Sequence, residues 1–196
     1  MMYAKPAISI CIPAYKRVAS LERLLDSITI QTFKDFEVVI TDDSPDDSVQ
    51  ILADTFKEKF PLKYFKNITT LGTPANWNAC IDKASGEWIK IMHDDDWFAN
   101  ENSLAAFAAK MDDGRNFIFC DYQSIDEENK ISKKSVISNS WKTRITEEPY
   151  TLYAKNMIGP PSVTLIHKSI MEKFDTGLKW LVDVDFYITI LSKEKK

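Results

Sequence analysis

The sequence predicts an α/β protein: a single domain with a mostly parallel central sheet and helices on both faces. Three observations support this fold class. Short apolar runs alternate with amphipathic helical segments, which is the pattern of successive β-α units. The chain of 196 residues is 44% hydrophobic and contains 11 Phe, 7 Tyr and 5 Trp, enough bulky apolar mass for a core. Acidic clusters follow two of the apolar runs, where parallel strands would gather them at one edge of the sheet.

Four strand-plus-helix units are predicted in the first half of the chain. Their strands lie near residues 7–12, 36–41, 62–66 and 87–92. After each strand, apolar residues recur at the i, i+3, i+4, i+7 spacing of a buried helical face. Ser44 and Pro45 are predicted to open the second helix, and Gly86 is predicted to end the third. A fifth strand is predicted at residues 117–120.

The second half of the chain is less regular. Residues 126–134 are charged and the segment after them has no clear period, so we expect this half to cover one edge of the sheet. A strand is predicted again at residues 162–166, and a final helix at residues 183–191. The two halves are expected to form one domain.

The composition excludes several partners and locations. The formal net charge is -4 and the pI is about 5.3, with no basic stripe, so no nucleic acid partner is expected. No run reaches the roughly 18 apolar residues of a membrane span, and the N-terminal apolar run is too short for a secretory signal. The protein is therefore expected to lack a transmembrane segment and to be cytoplasmic. Cys11, Cys80 and Cys120 have neither disulfide nor zinc spacing and are expected to be inert core thiols.

The strongest functional signal is the segment His93-Asp94-Asp95-Asp96, directly after the fourth predicted strand. Two carboxylates about 5 Å apart repel by roughly 3 kcal/mol at an effective dielectric constant of about 20, so three in succession need a compensating charge. At the ligand-binding edge of an α/β sheet, carboxylate oxygens suit Mg²⁺ or Mn²⁺, which bind substrate phosphates. The alternative is a loop whose carboxylates point into water, as most charge runs do.

Two further strand ends carry candidate ligand-binding residues. Asp42 and Asp43 follow the second strand, where a carboxylate can accept hydrogen bonds from a nucleobase or a ribose. Their alternative role is to cap the following helix. Pro13, Ala14 and Tyr15 follow the first strand, where proline fixes the backbone and the Tyr15 ring offers a stacking surface. The alternative for this segment is an ordinary turn.

Seven segments spread over nearly the whole chain form a recognisable set: Ile8 to Arg17, Gln31 to Ser44, Asn76 to Asn78, Ala84 to Ile89, His93 to Trp97, Pro160 to Thr164 and Val182 to Phe186. In order and spacing they resemble the motifs of family 2 glycosyltransferases, which have the GT-A fold. The resemblance implies a Rossmann-like sheet in a single domain, residues 1–196. Within it, residues 1–125 would form the nucleotide-sugar-binding half and residues 126–196 the acceptor-side half.

The resemblance also implies a role for each matching residue. A nucleotide-diphosphate sugar, as the donor, would be held by Pro13, Ala14, Tyr15, Arg17, Asp42, Asp43, Asn78 and Asp94. Asp95 and Asp96 would hold Mg²⁺ or Mn²⁺, and Asp183 would be the catalytic base. The implied reaction is inverting, metal-dependent sugar transfer, with a UDP-sugar as the favoured donor. Its acceptor would be a glycan, a lipid-linked molecule or another hydroxyl compound in the synthesis of cell-surface polysaccharide or glycoconjugate.

The sequence departs from the family pattern at three positions. His93 replaces the first Asp of the Asp-x-Asp metal motif and is expected to be a partly buried neighbour of the metal rather than its ligand. Trp77 stands where an Arg often precedes Asn78, and Val182 stands where a Glu is expected before Asp183. These departures leave open the alternative of a catalytically silent module that binds nucleotide sugars.

Other expectations concern the type of enzyme. No Gln-x-x-Arg-Trp motif follows Asp183, so a processive, membrane-embedded polysaccharide synthase is not expected. Family members usually continue further, so the chain is expected to be a catalytic core that lacks C-terminal acceptor or membrane-docking elements and makes at most peripheral contact with the inner face of the membrane. A phosphohydrolase of the haloacid dehalogenase type is not expected either. Its motif needs Thr or Val two residues after the second Asp, whereas Trp97 and Phe98 follow here.

Overall fold

A computed structural model describes residues 5–126 and 130–193 of the protein. The strands in these residues are β1 (Ile8–Ala14), β2 (Phe36–Asp42), β3 (Leu62–Lys66), β4 (Trp88–Ile91), β5 (Phe117–Phe119), β6 (Tyr122–Ile125), β7 (Ile131–Ser135) and β8 (Thr164–His167). The α-helices are α1 (Val18–Thr29), α2 (Ser48–Asp54), α3 (Ala75–Lys83), α4 (Ser103–Ala108), α5 (Asn139–Glu147) and α6 (Val182–Lys193). Short 3₁₀ helices lie at Pro149–Tyr153, Pro161–Val163 and Lys168–Ile170.

A six-stranded sheet in the order β3-β2-β1-β4-β8-β5 forms the centre of the molecule. β1 is parallel to both β2 and β4, and β2 is parallel to β3. β8 is antiparallel to both β4 and β5, so β5 runs in the same direction as β4. Only β8 therefore runs against the others in this sheet, which confirms the predicted mostly parallel α/β architecture. β6 and β7 form a separate antiparallel hairpin.

Helices cover both faces of the central sheet. Successive residues of a strand point to opposite sides, so each strand contributes side chains to two separate cores. On one side, Ile8, Ile10 and Ile12 of β1 pack with apolar residues of α1, α2 and α4. On the other side, Cys11 of β1 packs with apolar residues of α3 and α6. All residues of β1 and β2 are buried, as expected for parallel strands that are covered on both faces.

The register of the strands brings their carboxyl ends to one edge. Ala14 of β1 pairs with Asp42 of β2, and Cys11 of β1 pairs with Ile91 of β4. The segments that follow β1, β2 and β4 therefore begin side by side. This is the edge where ligands bind in open α/β sheets.

The predicted start of α2 is wrong. The helix begins at Ser48, four positions after the predicted cap Ser44. The Ser44 hydroxyl instead accepts a hydrogen bond from the Lys16 N–H (2.8 Å), and the Ser44 N–H donates to Asp42 Oδ1 (2.7 Å). One long-range and one local contact thus hold Ser44 in the loop that follows β2.

The predicted role of Gly86 as a helix stop is also wrong. α3 ends at Lys83, before Gly86 is reached. A Cβ atom at Gly86 would lie 2.7 Å from the Ser9 backbone nitrogen, so the backbones of this loop and β1 approach more closely than any other residue permits.

The second half of the chain does more than cover a sheet edge. Its strand β8 starts at Thr164, two residues later than predicted, and is inserted between β4 and β5. The final helix α6 agrees with the prediction to within two residues at each end. Residues 194–196, at the charged C-terminus, lie outside the described residues.

One cysteine does not fit the expectation of buried thiols. Cys11 and Cys80 are buried, but Cys120 is exposed. It directly follows β5, the edge strand of the sheet, whose own residues are only partly buried. Within residues 5–126 and 130–193, no helix has both the length and the apolar character that a bilayer crossing requires.

Candidate active site

The segments after β1 and β4 bring Tyr15, Arg17 and Asp94 together. The Tyr15 N–H donates to Asp94 Oδ2 (3.1 Å). Arg17 Nη1 lies 3.4 Å from Asp94 Oδ1 and also contacts Asp95 Oδ2. Burial raises the pKa of Asp94, and the Tyr15 N–H and the Arg17 guanidinium act against this shift. Tyr15 remains 47% exposed, and Lys16 Nζ lies over its ring, 4.9 Å from the centroid.

Pro13 and Ala14 are the last two residues of β1 and are buried. The Ala14 carbonyl accepts hydrogen bonds from the Asp43 N–H (3.0 Å) and from Asn76 Nδ2 (3.5 Å). The two residues therefore fix the backbone from which Tyr15 projects.

His93, Asp95 and Asp96 form a group of side chains that can hold a metal ion. One potential ligand atom of each lies within 4.8 Å of the others, and His93 Nδ1 is 3.9 Å from Asp96 Oδ2. The side chains of Asp95 and Asp96 are 51% and 40% exposed, so a cation can reach them. Carboxylate oxygens suit Mg²⁺ and Mn²⁺, and an imidazole nitrogen is compatible with Mn²⁺. His93 is partly buried, as expected, and its ring nitrogen lies close enough to the two carboxylates to be a third candidate ligand.

The His93 ring is held by aromatic packing. Its centroid is 4.7 Å from that of Trp77, and Phe174 meets Trp77 edge-on at 5.1 Å. Phe174 in turn stacks on Phe186 of α6 at 4.1 Å. Desolvation lowers the pKa of His93, so the ring is neutral near pH 7. A row of aromatic side chains therefore connects the acidic loop to α6.

Asn78 anchors a neighbouring segment. Its Nδ2 donates to the Phe174 carbonyl (2.9 Å), and its Oδ1 accepts from the Phe174 N–H (2.9 Å). Both ends of the amide are engaged within the protein. The structure therefore gives Asn78 a supporting position and does not bring a free amide to the donor side.

Asp42 has no exposed surface. Its Oδ2 accepts hydrogen bonds from the Tyr64 hydroxyl (2.7 Å) and from Lys66 Nζ (3.0 Å), and its Oδ1 accepts from the Ser44 N–H. These contacts fix the loop after β2. Asp42 is brought to the predicted edge but is enclosed there by protein groups.

Asp43 is also buried, but its contacts are of a different kind. Its Oδ1 accepts from Asn67 Nδ2 (2.7 Å) and the Leu71 N–H (3.1 Å), and its Oδ2 accepts from the Gly72 N–H (2.8 Å). Two of these donors belong to the backbone of a loop. A nucleobase can therefore hydrogen-bond to Asp43 at the acceptor site that Oδ2 retains or in place of a loop N–H.

Asp183 lies in the first turn of α6, close to the acidic loop. Its Oδ2 accepts from Asn156 Nδ2 (2.7 Å), and its Oδ1 accepts from the Val184 N–H (2.9 Å). Burial raises the pKa of Asp183, and His93 is near enough to act electrostatically in the opposite direction. A raised pKa makes the carboxylate a better proton acceptor.

Asp185 faces elsewhere, as expected from a separation of about 200° around the helix. Its Oδ1 accepts from the exposed Tyr153 hydroxyl (3.3 Å). Asp183 and Asp185 therefore do not share a site, and Phe186 and Ile190 form part of the buried side of α6.

Two residues near the site were not predicted. Asn156, which holds Asp183, lies in an irregular stretch without periodicity, so the sequence carries no signal for it. Lys90 is completely buried in β4, three residues before His93. The sequence did contain a signal for Lys90, because it is a single charged residue inside an otherwise apolar strand.

The fold is that of the GT-A glycosyltransferases. The chain matches S. aureus TarS 1-349 in complex with UDP-GlcNAc with a TM-score of 0.74 and 23% identity, over 96% of this chain and 53% of that one. It also matches the mannosyltransferase PcManGT from Pyrobaculum calidifontis in complex with GDP-Man and Mn²⁺, with a TM-score of 0.65 and 18% identity, over 95% of this chain and 51% of that one. At these identities the likeness establishes the fold.

The sequence identifies the family. The family model described as Glycosyl transferase family 2 matches residues 9–175, and the chain belongs to this family. It is 32% identical over 131 residues to the GalNAc(5)-diNAcBac-PP-undecaprenol beta-1,3-glucosyltransferase of Campylobacter jejuni, covering 66% of this chain and 42% of that protein. It is 35% identical over 118 residues to the abequosyltransferase RfbV of Salmonella typhimurium, covering 58% and 35% respectively. The chain thus spans less than half the length of these two relatives.

Proposed function

We propose that this glycosyltransferase moves a sugar from a nucleotide-diphosphate sugar, with a UDP-sugar as the favoured donor, to an acceptor hydroxyl, with inversion at the anomeric carbon. One observation carries the proposal: the row of ring contacts from His93 through Trp77 and Phe174 to Phe186 joins the acidic loop to α6, whose first turn carries Asp183. A displacement at a sugar carbon needs stabilisation of the departing phosphates and a base for the incoming hydroxyl, close to each other.

The donor is assigned to the edge formed after β1 and β2. The exposed Tyr15 ring, on the backbone fixed by Pro13 and Ala14, can stack on the nucleobase. Asp43 can accept a hydrogen bond from the base in place of a loop N–H. Arg17 is exposed and can extend its contacts from Asp94 to the diphosphate. Asp94 is assigned to the ribose.

Two predicted donor residues receive supporting roles in this proposal. The carboxylate of Asp42 is enclosed by Tyr64 and Lys66, and the amide of Asn78 is bonded to the Phe174 backbone. Both act by holding the loops around the donor.

The residues of the acidic loop fit the divalent cation that the fold family implies. His93, Asp95 and Asp96 would hold Mg²⁺ or Mn²⁺, because their ligand atoms lie within 4.8 Å of one another. When bound, the cation offsets the negative charge that develops on the departing diphosphate. Asp95 and Asp96 also have exposed surface through which donor phosphates can approach.

Asp183 is assigned as the general base. An acceptor hydroxyl is a weak nucleophile at neutral pH, so a carboxylate has to accept its proton as it attacks. Asn156 Nδ2 and the Val184 N–H orient the Asp183 carboxylate, and the start of α6 favours its ionised form.

The named relatives support the proposed acceptor class. One of them is named for an undecaprenol-linked substrate. We infer a glycan or lipid-linked acceptor in cell-surface polysaccharide or glycoconjugate synthesis, reached in the cytoplasm or by peripheral contact with the inner face of the membrane. No nucleic acid partner is proposed, because the net charge is -4.

A turnover assay with a panel of nucleotide sugars tests the proposal. We expect release of the nucleoside diphosphate with Mn²⁺ or Mg²⁺ and none with EDTA, and a product whose anomeric configuration, read by NMR, is opposite to that of the donor. Asp95→Asn should lower turnover by about 100-fold or more, since it removes a metal-binding charge at constant volume. Asp112→Asn, in the exposed turn after α4, should leave it unchanged. Donor binding without release of diphosphate would instead indicate the silent binding module.

A further inference from the structure

Lys90 is a buried charge in the middle of the fold. It lies on β4, the strand that leads into the acidic loop, and its exposed fraction is 0%. Its Nζ donates a hydrogen bond to the Ser162 carbonyl and lies 4.9 Å from the centroid of the Phe107 ring and 5.7 Å from that of Phe98. The ammonium is thus surrounded by a carbonyl and aromatic rings, and the charge of Asp96 reaches it only through space.

This environment is unfavourable for a lysine. Burial lowers the pKa of Lys90 to about 8, while the groups that oppose the shift, Cys120 and Asp96, compensate only in part. An apolar residue of similar length would avoid the desolvation of the ammonium, and such replacements of buried charges are often neutral or stabilising. Stability alone therefore does not account for a lysine at this position.

The hydrogen-bond partner of Lys90, Ser162, belongs to the segment that connects the acidic loop with the surroundings of Asp183. Two hydrogen bonds hold Ser162 from β4 and the acidic loop. Its carbonyl accepts from Lys90 Nζ of β4, and its hydroxyl accepts from the His93 N–H (3.0 Å). The next residue, Val163, accepts a hydrogen bond from the Cys120 N–H (3.0 Å). Ser162 is therefore fixed between β4, the acidic loop and the end of β5.

Three residues before Ser162, the same segment holds the base. The Gly159 carbonyl accepts from Asn156 Nδ2 (3.1 Å) and from the Tyr187 hydroxyl of α6 (3.1 Å). Asn156 Nδ2 also donates to Asp183 Oδ2. A continuous set of contacts thus runs from Lys90 through residues 159–162 to Asp183.

We propose that Lys90 is a positioning residue for glycosyl transfer, which fixes the Ser162 carbonyl and thereby the spacing between the acidic loop and Asp183. The inference rests on the proposed function of these two groups. Its physical basis is that a displacement of about 1 Å between reacting groups can lower a rate by about 100-fold without a new contact being made or lost at the substrate.

Lys90→Met tests this role, with a split between two kinetic constants as the readout. We expect the variant to be no less stable than the wild type in urea denaturation at pH 7, because the buried ammonium is removed. The kcat should fall by about 10-fold or more, while the donor KM changes by less than about 3-fold, because the donor contacts are intact. Lys90→Gln keeps an N–H donor and should recover part of the lost kcat.

Lys168→Met is the matched control. Lys168 Nζ also donates to a main-chain carbonyl, that of Ala84 (3.0 Å), but at the opposite end of β4. Its removal should leave both kinetic constants unchanged.

Amide hydrogen exchange gives a readout that does not depend on turnover. In Lys90→Met, the amides of His93, Gly159 and residues 162–164 should exchange faster than in the wild type, while those of α1 should not. If the wild type is active and Lys90→Met has the same kcat, the inference is overturned and the proposed function stands. Unchanged amide exchange in the variant has the same consequence. A large loss of stability in Lys90→Met would overturn it too, since Lys90 would then be structural. An inactive wild type with faster exchange in the variant would count against the proposed function alone.

Discussion

At the scale of single residues, the two carboxylates at the start of α6 differ in surroundings. Asp183 is partly buried and bonded to Asn156, whereas Asp185 contacts the exposed Tyr153 hydroxyl. Two carboxylates two positions apart thus have separate partners, and burial raises the pKa of Asp183, which lies near the acidic loop. Chemistry that needs a proton acceptor in the cleft should depend on Asp183 alone.

Asp183→Asn should lower kcat by about 100-fold or more and leave donor affinity nearly intact, because it removes the base without touching the donor site. Steady-state kinetics with donor affinity measured by calorimetry check this expectation. Asp185→Asn is the matched control and should alter kcat by less than about 3-fold. Equal, small effects of both substitutions would remove Asp183 from the mechanism.

The sequence predicted where the candidate site residues lie in the fold better than it predicted their hydrogen-bond partners. A carboxylate that follows a buried parallel strand lies at the ligand edge, so the positions of Asp43 and Asp95 followed from local pattern. The partners of Asp43 are Leu71 and Gly72, which are 28 and 29 positions away and belong to a loop without periodicity. Such contacts depend on the tertiary fold, and no local pattern encodes them. The same holds for the bonds between Asn78 and Phe174.

At the scale of elements, a buried carboxylate joins two strands and the loop before β4. Glu37 of β2 is 4% exposed, and its Oε1 accepts from the Ser9 hydroxyl of β1 (2.7 Å) and the Ser85 N–H (2.7 Å). Its Oε2 pairs with Lys63 Nζ of β3 (2.7 Å). Burial opposes ionisation, but these donors together bring the pKa of Glu37 from 4.5 to about 2. The carboxylate therefore ties the amino-terminal ends of three strands together.

Glu37→Gln should reduce the free energy of unfolding at pH 7 by about 2 kcal/mol, a value below the full pKa shift because water screens Lys63. A lowered pKa in the folded state stabilises the fold above the unfolded pKa, and this contribution is lost as the pH falls from 4.5 towards 2. Urea denaturation between pH 7 and pH 2 should therefore show the two proteins converging. Glu22→Gln, at an exposed position of α1, should match the wild type throughout. A difference that stays constant with pH would contradict this role of Glu37.

The elements themselves were predicted unequally, for physical reasons. β1, β2 and β4 are buried, mostly apolar runs and β3 is a weaker, partly buried one, but amphipathic helices follow all four, so the sequence pattern located them to within two residues. The start of α2 was misplaced because the Ser44 hydroxyl is bonded to Lys16, a contact between two strand ends. The place of β8 in the sheet could not be read from the chain, because order within a sheet is a property of the tertiary fold.

At the scale of the whole molecule, the candidate site is built from the segments that follow β1, β2 and β4 and from the start of α6. A ligand that bridges several of these loops should stabilise the folded state by mass action. At a concentration of 100 times its Kd, a donor should add about 2.7 kcal/mol, which for a chain of this size raises Tm by about 5 °C or more. Thermal unfolding with a panel of nucleotide sugars, with and without Mn²⁺, measures this shift. Free monosaccharides and inorganic phosphate are the controls, and equal shifts with phosphate would reduce the site to a general anion site.

The insertion of β8 between β4 and β5 sets the order in which the sheet can form during synthesis. β5 is synthesised well before β8, yet in the described sheet its hydrogen-bonded neighbour is β8. The nascent chain therefore carries an unpaired edge on β4 until the later strand arrives, and contacts of such sequence separation form slowly. Because the residues just before β8 also carry Ser162, the last gap in the sheet closes together with the bonds from Ser162 to Lys90 and His93. The first half of the chain thus acquires its final geometry only when the second half has been translated.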